Sequence, residues 1–305
     1  MRVLVTGATG YLGRASLAEL GRLGLDPVAM VRGPAADHAG ADLGAEIRRA
    51  DLTDPASLGP ALRGVDAVCH LGGLVRARES LADPLGYFAL NTAGTVNLLV
   101  AMADSGVSGL VFASTAAVYG TPAVQPMTEE LPDAPPHPYA ASKLAAEQAI
   151  GWQARTGALR ATVLRLFNLA GGDDPDSTRI IPRALAAATG RGPALEINGD
   201  GRATRDFVHV VDAASALVAA VRALPPAGQA RRYNIGSGVG SSVTDVVAAV
   251  ETVTGRDVPV VHRPPAPEPP VLVSDSSLAR AELGWRPTWS ALHDIVADLW
   301  ARQSR

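Results

Sequence analysis

The fold is decided by the stretch Val3-Leu4-Val5-Thr6-Gly7-Ala8-Thr9-Gly10-Tyr11-Leu12-Gly13, which places three glycines at three-residue spacing between an apolar run and a helical pattern. Glycine lets a backbone turn tightly and approach a pyrophosphate, while the free N–H groups at a helix start attract that anion. The stretch therefore predicts a strand, a phosphate-binding turn and a helix of a dinucleotide-binding unit. Its expected cofactor contacts are Gly7, Thr9, Gly10, Tyr11, Leu12 and Gly13.

Short β-branched runs alternate with helical patterns through the first half of the chain, which is typical of βαβ units in a parallel sheet. Strands are predicted at Val3–Thr6, Val28–Val31, Ile47–Ala50, Ala67–His70, Leu110–Ala113 and Ala161–Leu164. Helices are predicted at Leu12–Leu23, Pro55–Leu62, Tyr87–Asp104 and Ala140–Thr156, and in the second half at Ile181–Thr189, Asp212–Arg222, Val243–Thr254 and Ala291–Arg302. In such a sheet, ligands collect beyond the carboxyl ends of the strands.

The pattern predicts an α/β fold in two parts. Residues 1–167 form a doubly wound parallel Rossmann domain, and residues 168–305 form a smaller mixed α/β substrate-binding domain, with residues 206–236 returning to the first domain. Residues 263–270 read Arg-Pro-Pro-Ala-Pro-Glu-Pro-Pro, which favours an extended segment over helix or central strand. This tract is either a stiff surface linker or a loop that lines the substrate.

Composition excludes several classes of function. The formal net charge is -3 and no basic stripe is visible, so nucleic acid is not an expected partner. We find no apolar run long enough to cross a bilayer, and no membrane function is expected. The first predicted strand starts at Arg2, which leaves no room for a signal peptide and indicates a cytoplasmic protein. The single cysteine, Cys69, has no companion at metal-ligand spacing, so we expect a packed thiol and no metal site.

Redox chemistry is indicated by Tyr139-Ala-Ala-Ser-Lys143, on a helix opened by Pro138. Residues four apart share a helix face, so the phenol and the ammonium can both reach one ribose and nicotinamide. A neighbouring Lys⁺ and an oxidised nicotinamide both favour phenolate, which makes tyrosine a usable base at neutral pH. Ser114 and Thr115 follow the fifth predicted strand, where a hydroxyl could face Tyr139 and bind the same substrate oxygen.

These motifs closely resemble the extended short-chain dehydrogenase/reductase family, and within it the UDP-galactose 4-epimerase-like nucleotide-sugar enzymes. The resemblance covers nearly the whole chain. It includes Ala50-Asp51-Leu52, Leu71-Gly72-Gly73, Asn91, Leu164-Arg-Leu-Phe-Asn168, Arg205-Asp-Phe-Val-His-Val210 and Tyr233-Asn-Ile-Gly-Ser-Gly238. The last three motifs are specific, because nucleotide-sugar enzymes use this C-terminal set to surround a nucleoside diphosphate.

The resemblance implies the roles of the reacting residues. Tyr139 is the acid/base at the sugar hydroxyl that becomes a ketone, and Lys143 holds the ribose and lowers the pKa of the phenol. Thr115 takes the family's hydroxyl position, with Ser114 beside it. The further cofactor contacts that the resemblance implies are Asp51, Leu52, Leu71, Gly72, Gly73 and Asn91.

The resemblance also implies the substrate contacts. Asn168 faces the substrate, and Arg205 meets the diphosphate, for which a guanidinium fork is suited because it pairs two phosphate oxygens at once. The alternative for Arg205 is a surface ion pair with Asp206. Glu268 is included among the expected substrate contacts.

The sequence departs from this family where the cofactor's adenosine ribose would bind. The second predicted strand ends Ala29-Met-Val31-Arg32-Gly33, where relatives usually carry an acidic residue. An arginine can instead accommodate a 2′-phosphate, so the cofactor is NAD or NADP, with NADP slightly favoured by Arg32. Stacking of Arg32 on adenine without a phosphate contact is the alternative.

A second departure concerns the diphosphate. Relatives usually carry a second arginine near the C-terminus, but the matching stretch here is Pro264-Pro265-Ala266-Pro267-Glu268. One guanidinium would neutralise a nucleoside diphosphate poorly in a partly desolvated cleft. Arg179, in Arg179-Ile-Ile-Pro182, is the candidate for the missing charge, and Arg263 is the runner-up. The alternative is that Arg179 is merely solvated.

Three functions remain open from the sequence. The first is a nucleotide-sugar 4-epimerase that acts on a UDP- or TDP-sugar through a 4-keto intermediate, as a homodimer joined by the helices at Tyr87–Asp104 and Ala140–Thr156. The second is an NADPH-dependent ketoreductase of a keto-sugar nucleotide or another small carbonyl compound. The third is a catalytically silent dinucleotide sensor, against which the intact Tyr139, Lys143 and Thr115 count. A 4,6-dehydratase is not expected, because no acidic pair follows Thr115.

Overall fold

The computed structural model describes residues 1–33, 44–266 and 268–303, and its centre is a seven-stranded parallel sheet. The strands are β1 (Arg2–Thr6), β2 (Asp26–Val31), β3 (Glu46–Arg49), β4 (Ala67–His70), β5 (Gly109–Thr115), β6 (Arg160–Leu166) and β10 (Ala230–Ile235). Their order is β10-β6-β5-β4-β1-β2-β3, and each neighbouring pair is parallel. The order reverses beside β1, so the carboxyl ends of β1 and β4 flank the crevice where such sheets bind ligands. The predicted Rossmann sheet is confirmed.

Helices cover both faces of this sheet. They are α1 (Tyr11–Arg22), α2 (Pro55–Ala61), α3 (Ala77–Ser80), α4 (Pro84–Tyr87), α5 (Gly94–Asp104), α6 (Pro138–Gln153), α7 (Ile180–Ala188), α8 (Val210–Arg222), α9 (Val243–Thr254), α10 (Ser277–Glu282) and α11 (Leu292–Gln303). Leu98 and Ile150 pack α5 and α6 on one face, and Leu17 and Leu217 pack α1 and α8 on the other. Because both faces are covered, all seven residues of β5 are buried. Cys69 is fully buried in β4, which confirms the packed thiol.

A π-helical turn, Phe88–Ala93, joins α4 to α5 and makes one long helix, Pro84–Asp104. This helix corrects the expectation that no apolar run is long enough to cross a bilayer, since its length and its mean hydropathy of 1.3 both suffice. However, 44% of its most apolar window is buried inside the protein, and core helices of folded domains pass the same test. The absence of a membrane function stays a prediction.

A smaller sheet is built from the second half of the chain. Its strands are β7 (Asn168–Ala170), β9 (Thr204–His209), β11 (Gly240–Ser242) and β13 (Val271–Leu272), while β8 (Leu195–Asn198) pairs with β12 (Val260–Arg263). Leu185, Val250 and Ile295 bring α7, α9 and α11 into one core beside it. Residues 206–236 hold α8, which packs on α1, and β10, which forms an edge of the large sheet. The domain boundary at residue 167 stays a prediction.

Candidate active site

A cavity of about 820 Å³ opens beyond the carboxyl ends of the large sheet's strands and is closed by segments from the second half of the chain. It brings most of the predicted site residues together. Those in its lining are Gly7, Thr9, Gly10, Tyr11, Leu12, Gly13, Arg32, Asp51, Leu52, Leu71, Gly72, Gly73, Ser114, Thr115, Tyr139, Lys143, Asn168, Arg179 and Arg205. Asn91 and Glu268 lie behind this lining and contact residues that belong to it.

The glycine loop at the floor of the cavity leaves no space for side chains. A Cβ on Gly13 would lie 2.2 Å from the carbonyl oxygen of Gly7, and a Cβ on Gly7, whose φ is +66°, would lie 2.8 Å from the amide of Gly72. Helix α1 begins directly after the loop, and its N-cap, Gly10, has no side chain to cap the first N–H groups. This helix end fits a pyrophosphate, because its free N–H groups and its dipole both favour an anion.

Asn91 supports the neighbouring loop from behind. Its side-chain oxygen accepts from the Leu74 amide at 2.8 Å, and its amide nitrogen donates to the Leu74 carbonyl at 3.0 Å and to Ser142 Oγ at 3.0 Å. A Cβ on Gly73 would lie 2.6 Å from the same Asn91 oxygen, which explains the glycine. Asn91 therefore shapes the cavity wall, and its direct contact with a cofactor stays a prediction.

A chain of buried hydrogen bonds under this wall fixes the tautomer of His70. Thr6 Oγ1 accepts from two loop amides at 3.1 and 2.9 Å, so its own proton goes to His70 Nδ1 at 2.7 Å. His70 Nε2 then donates to Thr95 Oγ1 at 2.9 Å, because the Thr95 proton goes to the Asn91 carbonyl. Burial lowers the pKa of His70 to about 3, and the ring is neutral.

An acidic and a basic side chain meet where β2 and β3 end. Arg32 Nε lies 4.0 Å from Asp51 Oδ2, and 74% of the Arg32 side chain is exposed. The amide and hydroxyl of Thr53 each donate to Asp51 at 2.8 Å and lower the pKa of that carboxyl group. This end of the cavity can therefore offer a carboxylate to ribose hydroxyls and a guanidinium to a 2′-phosphate.

Tyr139 lies in the first turn of α6 and lines the cavity. Thr115 lies opposite it, at the end of β5. The Thr115 side chain is hydrogen-bonded to the phenol. Two further rings hold the phenol ring: Tyr87 packs edge-on, with ring centres 6.3 Å apart, and His137 stacks on it at 5.8 Å. Sequence reasoning missed both rings, although an aromatic residue at the N-cap of the Tyr/Lys helix could have suggested His137.

Lys143 lies one helical turn after Tyr139 and is 2% exposed. Its Nζ donates to the Ala113 carbonyl at 3.0 Å and lies 4.7 Å from the centre of the Phe112 ring. Burial lowers the pKa of Lys143 to about 8, while the negative charge of Glu147 raises it. The ammonium is therefore close to its titration range.

Burial also raises the pKa of the Tyr139 phenol, against the hydrogen bond from Thr115. The positive charge that lowers this pKa in the structure comes from Arg179, whereas the sequence had pointed to Lys143. The phenol is protonated at neutral pH in this environment. A cation that binds beside it would favour the phenolate.

Ser114 lines the cavity but does not share the position of Thr115. The Ser114 hydroxyl donates to Glu147, which lies eight residues after Tyr139 on α6. The hydroxyl that faces the Tyr139 phenol is thus that of Thr115. Thr115 therefore supplies the strand-end hydroxyl expected to face Tyr139, and the catalytic role expected for Ser114 stays a prediction.

Arg179 lies at the N-cap of α7 and reaches into the cavity. Its guanidinium lies 5.3 Å from the centre of the Tyr11 ring and pairs with Asp174 at 3.2 Å. Asp174, which sequence reasoning missed, has a side chain that is 1% exposed, and burial raises its pKa. Arg179 is therefore held in place and is not merely solvated. Asn168 lies nearby and donates to the Asp206 carbonyl at 3.2 Å.

Arg205 reaches the cavity from β9, and Glu268 holds its guanidinium at 2.8 Å. The neighbouring nitrogen of Arg205 donates to the Pro269 carbonyl at 2.8 Å. The alternative of an ion pair with Asp206 is wrong, because Asp206 is fully buried and accepts from amides and hydroxyls in the loops after β10 and β13. The proline tract thus approaches the site through Glu268.

A glycine loop, a tyrosine and lysine on one helix face, and a strand-end hydroxyl share one cavity over a doubly wound sheet. This combination defines an enzyme of the extended short-chain dehydrogenase/reductase class. The sequence profile of the NAD dependent epimerase/dehydratase family matches residues 3–236. The chain belongs to this family.

Individual relatives agree with this assignment. A UDP-glucose 4-epimerase of Streptomyces lividans is 37% identical over 315 residues, which cover 98% of this chain and 95% of that one. The crystal structure of UDP-glucose-4-epimerase from Stenotrophomonas maltophila, with bound NAD and formylated UDP-arabinopyranose, has a TM-score of 0.92 at 33% identity, over 100% of this chain and 98% of that chain. UDP-glucose 4-epimerase from Bifidobacterium longum, in complex with NAD+ and UDP, has a TM-score of 0.89 at 30% identity, with coverages of 100% and 98%.

Proposed function

We propose that this chain is a nucleotide-sugar 4-epimerase. The observation that carries the proposal is the single cavity in which the Tyr139 phenol, bonded to Thr115, shares space with the glycine loop and Arg205. A dinucleotide on the loop and a sugar whose diphosphate reaches Arg205 would meet at that phenol. The similar 4-epimerases bind NAD together with UDP or a UDP-sugar, which supports the same classes of ligand here.

The reaction is a reversible oxidation at C4 of the sugar. NAD, when bound, would supply a reversible hydride acceptor, from which the hydride returns to the opposite face of the 4-keto sugar. Tyr139 takes the proton of the C4 hydroxyl and gives it back, while Thr115 holds the same oxygen. Lys143 holds the ribose of the cofactor, and the charge of Arg179 favours the phenolate against the burial that raises the phenol's pKa. Proton and hydride both return, so a 4-epimerase consumes no cofactor, unlike the rival ketoreductase.

The choice between NAD and NADP depends on two charged residues, Arg32 at the end of β2 and Asp51 at the end of β3. Asp51 can bind ribose hydroxyls, in keeping with the NAD found in the similar structures. Arg32 is 74% exposed and lines the cavity, and its guanidinium suits a 2′-phosphate, which supports a slight preference for NADP. Binding of both dinucleotides to the purified protein tests this part of the proposal.

The substrate is a UDP- or TDP-sugar. Arg205 meets the diphosphate by giving up its ion pair with Glu268. The exchange is favoured because a guanidinium can bind two phosphate oxygens at once. Arg179 supplies the second cation, since it lines the same cavity and its charge acts on Tyr139. Asn168, beside them, faces the sugar.

The protein is a cytoplasmic homodimer built on the helices Pro84–Asp104 and α6. Val96 and Val100 are 41% and 57% exposed, although both are apolar. They line a shallow groove with Ala149 of α6, and pairing of this face with a second copy would remove it from water. Light scattering on the purified protein tests the pairing, and a monomer at micromolar concentration would contradict it.

The decisive experiment incubates the purified protein with UDP-glucose and NAD and follows UDP-galactose by NMR. Interconversion without net NADH formation is expected. TDP-glucose is tested beside it, and a keto-sugar nucleotide with NADPH tests the rival reductase. Consumption of NADPH with no interconversion of either nucleotide sugar would move the ketoreductase to first place.

A further inference from the structure

A short loop, residues 171–174, follows β7 and contributes to the wall of the active-site cavity. Its first residue, Gly171, accepts a hydrogen bond from the Tyr11 hydroxyl at the start of α1. Its last residue, Asp174, pairs with Arg179, whose guanidinium lies 5.3 Å from the centre of the Tyr11 ring. Tyr11, Asp174 and Arg179 all line the cavity. The position of this anchored loop therefore decides where the charge of Arg179 lies.

The two middle residues of the anchored loop bind the C-terminal helix, α11. The Gly172 amide donates to Asp298 Oδ2 at 2.6 Å, and both carboxylate oxygens of Asp173 accept from Arg302 at 3.1 Å. Arg302 also donates to Asp298 Oδ1 at 2.9 Å, which joins the two contacts. Neither Asp298 nor Arg302 belongs to the described residues that line the cavity. Their effect on a ligand in the cavity therefore has to pass through the loop.

Two glycines bring the anchored loop into direct contact with the start of α8. Gly171 and Gly172 have φ values of +79° and +59°, and a Cβ on Gly171 would lie 2.1 Å from the His209 ring. His209 Nδ1 accepts from the Val211 amide, so Nε2 carries the proton and donates to Asp298 Oδ2 at 3.1 Å. The same Asp298 oxygen thus binds both the loop and the ring on which the loop packs. Because glycine restricts a backbone least, this loop needs such outside contacts to keep one conformation.

We propose that Asp298 and Arg302 are positioning residues, which hold the anchored loop from the C-terminal helix and thereby keep Arg179 beside Tyr11 in the cavity. The consequence for the substrate rests on the proposed function, in which Arg179 supplies the second cation for the diphosphate. A guanidinium pairs with two oxygens only in a suitable orientation, so a displaced Arg179 would bind a diphosphate more weakly.

The position of the loop can be followed without any ligand, because Tyr11 contacts both Gly171 and Arg179. The sequence has 5 tyrosines, so protein grown with fluorotyrosine gives few ¹⁹F signals in NMR, and Tyr11→Phe identifies the one from Tyr11. Asp298→Ala removes the acceptor of the Gly172 amide and should shift the Tyr11 signal. Arg179→Ala should shift it too, since it removes the charge beside the ring.

Calorimetry with UDP tests the consequence for the diphosphate. Asp298→Ala should weaken UDP binding by at least about threefold, which is the lower end of the coupling seen within hydrogen-bond networks. In an Arg179→Ala background the same substitution should cause no further loss, because the residue through which Asp298 acts is gone. A loss of general stability would instead lower the affinity equally in both backgrounds, since independent effects add.

Asp294→Ala is the matched control, because it removes a carboxylate from the same helix one turn earlier. Asp294 is exposed and lies 3.5 Å from its neighbour His293, so its loss should leave both readouts at their wild-type values. If Asp298→Ala does not fold, Arg302→Gln takes its place. This variant removes the ion pair with Asp173, keeps the bond between Asp298 and the loop, and should change both readouts in the same direction by a smaller amount.

A Tyr11 signal or a UDP affinity that Asp298→Ala leaves unchanged overturns the inference, and so does an equal loss of affinity with and without Arg179. An effect of the same size in Asp294→Ala overturns it as well. Failure of the proposed function looks different: the wild type would neither bind UDP nor interconvert nucleotide sugars, while the Tyr11 signal would still respond to Asp298→Ala. An active epimerase whose Tyr11 signal and UDP affinity ignore Asp298 contradicts the inference alone.

Discussion

Replacement of Tyr139 by phenylalanine removes the one oxygen to which the proposed proton transfer is assigned. The ring stays between Tyr87 and His137, and the change removes the hydrogen bond to Thr115. A hydrogen bond of this kind contributes about 0.5–1.5 kcal/mol to stability, so the melting temperature should fall by no more than about 4 °C. General acid–base catalysis contributes about 10²- to 10⁴-fold, so kcat should fall by at least about 10²-fold.

Tyr87→Phe is the matched control for this experiment. Its hydroxyl donates to the Arg76 carbonyl at 2.7 Å, and its ring packs on the edge of Tyr139. The control therefore loses a comparable hydrogen bond in the same aromatic cluster and keeps the catalytic phenol. UDP-glucose turnover and thermal melting are measured on both variants. Turnover of Tyr139→Phe within tenfold of wild type, or an equal loss in Tyr87→Phe, refutes the assignment of proton transfer to Tyr139.

Four further outcomes are expected. Thr115→Ala should lower kcat more than Ser114→Ala, because Thr115 bonds to the phenol and Ser114 to Glu147; steady-state kinetics that rank them in reverse would contradict the geometry. Arg32→Asp should weaken NADP binding much more than NAD binding, since it replaces a compatible charge by a repelling one, and equal losses in titrations of both cofactors would exclude 2′-phosphate recognition. Arg179→Ala should weaken UDP or TDP binding by roughly 1.5–3 kcal/mol in calorimetry, the range for hydrogen bonds to charged groups, and unaltered affinity would remove it from the clamp. The pKa of His70 falls from an unfolded value of about 6.5 to about 3 in the folded state, so its contribution to stability is present above pH 6.5 and is lost as the pH falls towards 3. Urea unfolding of His70→Asn should show a flatter dependence on pH across that window, and a slope equal to wild type would disprove this.

Six of the seven strands of the large sheet could be predicted, because most of them are apolar runs such as β5, whose residues are all buried. The edge strand β10 was not predicted, because the first three residues of its Ala-Arg-Arg-Tyr-Asn-Ile run are exposed and show no apolar pattern. The strands of the smaller sheet are different: β13 has 2 residues and β7 and β11 have 3 each, too few for an alternating pattern to be visible. They exist because β9 pairs with them, and partners remote in sequence cannot be read from local periodicity. The motif that begins at Arg205 was nevertheless found, because resemblance does not depend on periodicity.

Within the site, the sequence predicted residue types better than their pairings. Gly7 and Gly13 are positions where a Cβ would collide with backbone, as the glycine spacing indicated. The alternative that paired Arg205 with Asp206 was wrong, because the guanidinium binds Glu268 at 2.8 Å while Asp206 is buried among other donors. The predicted contact of Arg205 with a diphosphate stays a prediction. Ser114 and Thr115 both reach α6, and their different partners on it, Glu147 and Tyr139, could not be assigned from the sequence.

Lysine at position 143 is explained by the small buried space that its ammonium group occupies. The sequence carries 27 basic residues of the Lys and Arg types, and every one except Lys143 is arginine. Arginine serves the ion pairs at Arg165, Arg179 and Arg205, because its fork binds carboxylates at fixed geometry and its charge does not titrate in proteins. At position 143 a compact ammonium has to fit between a strand carbonyl and a ring in a space that is 2% exposed. A planar guanidinium would carry more N–H donors into that space than the carbonyl could satisfy, and unsatisfied buried donors are costly. The same compact ammonium is the group whose pKa burial lowers to about 8, whereas the charge of an arginine would not titrate there.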